Sequence, residues 1–109
     1  MNVKFKNYNC NIMFGQYGNG NTAIQLIDEK DGYPVAVATV NGLHKCPNDI
    51  VGIKDWSENE GMVDALIQAH VIEDELLLME RTGFVYIGYY KLTDQALKLL
   101  KEFKVGQQA

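Results

Sequence analysis

The sequence holds a single serine, Ser57, and a single arginine, Arg81, and these two scarcities bear on whole classes of chemistry. A serine nucleophile could only be Ser57, and it would need a base beside it. Neither His44 nor His70 is close in sequence, so Ser57 reads as a helix cap instead. Phosphoryl-transfer sites gather several cations, a phosphate-cradling loop and metal-holding carboxylates. One arginine is a poor start on such a site, and Arg81 is expected in a hairpin turn, paired with a carboxylate. Gly15, Gly18 and Gly20 precede a strand rather than a helix, and no lysine–serine or lysine–threonine pair follows them, so they make a turn. Cysteine is also scarce. A small secreted scaffold carries more than Cys10 and Cys46, and reduced thiols are expected. Long apolar runs are missing: the stretch from Tyr33 to Leu43 is too short and interrupted to span a bilayer. Residues 1–20 lack the apolar segment of a secretion signal. A soluble, cytoplasmic protein with no membrane role is expected.

What is present suffices for one domain. A chain of 109 residues that is 47% hydrophobic can bury a core without covalent staples, but is too short for two domains. Tyr8, Cys10, Ile12 and Phe14 alternate with Asn9, Asn11 and Met13, the pattern of a half-buried strand. The turn "GQYGNGN" and the extended "TAIQLID" complete a hairpin. A second turn at "EKDGYP" leads into a β-rich run from Val35 to Val40, giving a meander. After a loop at "NGLHKCPN", residues Asp49 to Lys54 suit a short edge strand.

Ser57 followed three residues later by Glu60 has the spacing of a capping box. Behind it Met62, Ala65, Leu66 and Ala69 recur at helical spacing, widened by Val63 and Ile67, which predicts a helix of about three turns. A strand is expected from Leu76 onward, with "FVYIGYY" as its partner across "ERTG". Thr93 caps a second helix, in which Leu92 and Leu97 form a hydrophobic staple. Ala96, Leu99, Leu100 and Phe103 make its buried stripe, Lys98, Lys101 and Lys104 face outward, and residues 105–109 read as a frayed tail. The expected fold is α+β: an antiparallel sheet of about five or six strands with two helices against one face, in the order ββββαββα.

With those elements placed, "TAIQLID", "ATVN", "IKDWSENEGMVDALIQAHVIE" and "TGFVYI" carry a resemblance. The chain resembles, over roughly Asn9 to Tyr90 and most specifically from Lys54 to Gly61, the small-protein family called "domain of unknown function 4313". The resemblance implies a bacterial mobile element (a phage, plasmid or conjugative element) and carries over no catalytic residue. The chain departs from the family's pattern at "GLHKCPND" and in the added helix from Thr93 onward.

Chemical candidates reduce to a few. His44 and Cys46, with Cys10, offer three zinc-ligand residues without paired spacing, so no metal is expected. Asp55, Glu58, Glu60 and Asp64 would form an acid–base set only if their environments separated their pKa values, which a solvated helix start rarely does. Tyr86, Tyr89 and Tyr90 could stack bases or line a small-ligand face, but cross-strand packing is the expectation. Charge is the more telling feature. From Asp49 to Glu80 nine acidic residues face one lysine, Lys54, which disfavours direct nucleic-acid binding there. Glu73, Asp74 and Glu75, with Asp64 and Glu80, are therefore expected to meet a partner. The expected function is a non-enzymatic, cofactor-free interaction protein of a mobile element, acting on an unidentified protein such as a nucleic-acid-binding host enzyme. The rival expectations are an enzyme or small-ligand binder on the tyrosine face, and a single-strand binder using the lysine helix.

Overall fold

The computed structural model describes residues 1–108, and side chains through residue 106. The fold is α+β, with two antiparallel sheets and two α-helices. Strands β1 (Asn2–Phe5), β2 (Tyr8–Gln16), β3 (Thr22–Asp28) and β4 (Pro34–Val37) lie side by side in chain order as one sheet. Strands β5 (Ile50–Ile53), β6 (Leu78–Thr82) and β7 (Val85–Lys91) form the second, in the order β5-β7-β6. Helix α1 (Met62–Gln68) follows β5, and α2 (Asp94–Gln108) ends the described chain. The expected order stands, with β1 in addition, and the strands divide between two sheets rather than filling one. Val3 and Phe5 alternate with Lys4 and Lys6, a period-two signal only four residues long, and that brevity hid β1.

The division is made just after β4. Ala38 N still donates to Ile24 O of the first sheet, whereas Val40 N donates to Gly52 O and Lys54 N to Ala38 O of the second. Thr39 bridges Ile53 at the crossing. The run from Val35 to Val40, which reads as a single strand in sequence, thus serves both sheets.

The core lies between these layers. Alternation puts Val3, Phe5, Cys10, Phe14, Ile24 and Leu26 on the inner face of the first sheet. Val51 and Ile53 face them from β5, together with Met62 and Leu66 of α1 and Ala96 and Leu100 of α2. Burying such a side chain is worth about 1.5–3 kcal/mol each. Helix α2 matches its sequence reading: Thr93 Oγ1 accepts from Ala96 N at 3.1 Å, Lys98 and Lys101 are exposed, and Leu97, Leu99 and Phe103 pack against the core. Residues 105–108, expected as a frayed tail, continue the helix, and residue 109 lies outside the described residues. Among the described residues no helix is long and apolar enough to cross a membrane.

The start of α1 departs from expectation. Ser57 opens a 3-10 turn (Ser57–Asn59) at φ +54°, and that turn has no side-chain cap. Asp55 supplies the cap of α1: its Oδ1 accepts from Gly61 N at 2.6 Å and Met62 N at 3.2 Å. Gly61, at φ +93°, turns the chain between the two short helices, so the Ser57–Glu60 spacing falls on the turn rather than on the first turn of α1. Glu58 instead pairs with Lys54, which lowers its pKa.

Candidate interaction surface and loop clamp

Glu80, expected on the acidic surface, is the best-connected carboxylate of the second sheet and only 9% exposed. Its Oε1 accepts from the Tyr89 hydroxyl at 2.7 Å, and its Oε2 from Leu43 N at 3.0 Å. His44 Nε2 lies 3.7 Å from Oε1, with its ring edge-on to Tyr89. These partners hold the Glu80 carboxyl below its usual range, first through the Tyr89 hydroxyl and then through the Leu43 amide. Burial and the same carboxylate push the Tyr89 phenol up. Glu80 is therefore not a surface contact. It fastens the loop "NGLHKCPN" over Tyr89, which lies with Ile87 on the face of β7 opposite Tyr90. Gly42 lets the loop approach this closely, since a methyl there would displace the Tyr89 hydroxyl and the Glu80 carboxylate.

A second clamp holds the other side of the loop. Asn21 is buried, and its Nδ2 donates to Asn41 Oδ1 at 3.1 Å and to His44 O at 2.8 Å. Its Oδ1 accepts from Cys46 N at 2.9 Å. Sequence reasoning missed Asn21, whose only signal is an asparagine closing a glycine-rich turn. The loop so held presents Leu43, which is 93% exposed.

The zinc-type residues are dispersed. Cys10 is buried on β2 between Val3 and Asp28, while His44 and Cys46 lie on the loop. Among the described residues no three His, Cys, Asp or Glu side chains group as metal ligands. Both thiols are pushed up, in each case chiefly by burial. The three tyrosines are likewise split: Tyr89 faces the loop, and Tyr86 and Tyr90 face the other way. Arg81, expected in the hairpin turn, lies instead in β6 opposite Tyr86, and its Nε donates to Gly83 O rather than to a carboxylate.

Burial raises the Tyr90 phenol pKa, and the charges of Asp55, Asp74 and Asp64, from three separate segments, raise it further. Glu73, Asp74 and Glu75 are exposed and line a shallow concavity with Leu77 and Lys91. Directly after them Leu76, Leu77, Leu78 and Met79 are each between 43% and 52% exposed, and Phe84 at the hairpin tip is fully exposed. The Leu76 side chain packs over Gly88 beside Tyr90, which joins the apolar strip to the acidic one. The run of four apolar residues without alternation is the trace this strip leaves in the sequence. Compared with protein-family models, with curated proteins and with solved structures, the chain matches none.

Proposed function

We propose that the chain is a non-enzymatic protein-interaction module whose partner carries a basic surface. The observation that carries this reading is the shallow concavity lined by the exposed Glu73, Asp74 and Glu75 and bordered by the exposed Leu76 and Leu77. Clustered like charges repel and weaken a fold. A cation-bearing partner relieves that repulsion, and an apolar border supplies the desolvated contact that charge alone lacks. The resemblance to a family typical of phages and plasmids fits an accessory protein of a mobile element. A basic nucleic-acid channel of a host defence enzyme is the partner chemistry that suits the face, with carboxylates standing in for phosphates.

The test is a variant with Glu73→Gln, Asp74→Asn and Glu75→Gln, used with wild type to capture partners from a host lysate and then measured against the captured protein. Slower association and a flatter salt dependence are the expected result. Unchanged rate and unchanged salt response would refute the acidic face as the binding element.

A further inference from the structure

We infer that a second copy of this chain docks antiparallel along β6, joining two three-stranded sheets into one of six strands. The other strand edges of the fold are guarded. β1 carries Lys4 and is followed directly by Lys6, whose Nζ is tied to Glu58 O. On β4, Val37 O accepts from Asn59 Nδ2 at 2.7 Å, and beyond it the chain crosses to pair with β5. β6 is the outer strand of its sheet and bears neither lysine nor proline, while Leu78 and Met79 on it are about half exposed. Exposed apolar edges of this kind are what folded proteins otherwise avoid, because their free N–H and C=O groups template pairing.

The strand is self-complementary in one register. Thr82 opposes Val85 across the two-residue turn Gly83–Phe84, with Gly83 at φ +62°. That turn makes Thr82, Glu80 and Leu78 exchange bonds with β7 and leaves the backbone groups of Met79 and Arg81 facing outward. Leu77 and Leu78 both oppose Tyr89, a β-bulge that ends the regular strand on the other side. Only pairing about a two-fold axis at Glu80 matches both outward residues, Met79 with Arg81 of the second copy and the reverse. The same register sets Leu78 across from Thr82 and carries the exposed Phe84 tip toward Leu76 and Leu77 of the other copy. The facing Glu80 carboxylates do not meet, because each is turned inward to Tyr89 and Leu43.

The inference does not depend on the acidic face having a partner, and its test needs no other protein. Sedimentation velocity from micromolar to millimolar chain should show a monomer–dimer equilibrium. Met79→Lys should raise the dissociation constant by about ten-fold or more, with the thermal midpoint of the dilute monomer unchanged. In a Cys46→Ser background with oxidised glutathione, a mixture of Met79→Cys and Arg81→Cys chains should form an interchain disulfide faster than either chain alone. Sedimentation as a monomer at every concentration would overturn the inference. So would self-association untouched by Met79→Lys, or cross-linking no faster in the mixture than in its components.

Discussion

The Tyr89 hydroxyl donates to Glu80 Oε1 diagonally across β6 and β7, since Glu80 itself pairs with Ile87 and Tyr89 with Leu78. A second bond from Leu43 N makes this carboxylate the junction of two strands and a loop. Removing it leaves the buried Tyr89 hydroxyl and the part-buried Leu43 amide without their acceptor. Glu80→Ala should destabilise by about 1–3 kcal/mol, chiefly the cost of leaving the buried hydroxyl unsatisfied. Hydrogen exchange at the Leu43 amide should speed up with it. Chemical denaturation showing a loss below about 0.5 kcal/mol, as for an ordinary surface substitution, would count against the clamp.

The same carboxylate sets the acid limb of stability. Because its folded pKa is lowered, by the Tyr89 hydroxyl first, its contribution is complete above the usual glutamate range and fades as pH falls through the folded value. Denaturation midpoints across acid pH should therefore drop less steeply in Glu80→Gln than in wild type.

On the alkaline side the sign reverses. Tyr89 and Tyr90 both have raised pKa values, chiefly from burial, so the unfolded chain ionises at about pH 10 while the folded chain still holds its protons. Stability should fall as pH rises past that point. Tyr89→Phe should flatten that limb, and ultraviolet titration of the native protein should show two phenols ionising late. Coincident alkaline limbs in wild type and variant would contradict the assignment.

Asp55 caps α1, and Asp55→Ala should cost about 1 kcal/mol. Ser57 sits at positive φ, where glycine is at ease, so Ser57→Gly should be neutral or stabilising by about 0.5 kcal/mol. Thermal midpoints of the two variants moving in the opposite sense would restore the Ser57 capping box.

Both cysteines are free thiols. In the denatured, unreduced protein each should react with a thiol probe. In the native protein Cys46, which is half-buried, should react well before Cys10, which is 0% exposed. Equal native rates would mean that β2 opens far more readily than its core position implies.

By itself the sequence determined the class and order of elements, because the signals for these are local. An alternating or extended pattern marked β2 and β3, aromatic and β-branched composition marked β7, and the threonine and apolar stripe of α2 marked its cap and buried face. The tertiary structure alone decided what spacing cannot encode. The spacing of Ser57 and Glu60 marks a cap, yet Asp55 takes that role, because the positive φ at Gly61 aims the amides at it. Glu80 and Glu75 look alike along an acidic segment, yet one is buried under a loop thirty-seven residues away in sequence and the other is exposed. The run Val35 to Val40 reads as one element and serves two sheets. In each case the outcome rests on which distant backbone group arrives within hydrogen-bonding reach. Chain crossing sets that, and residue type does not.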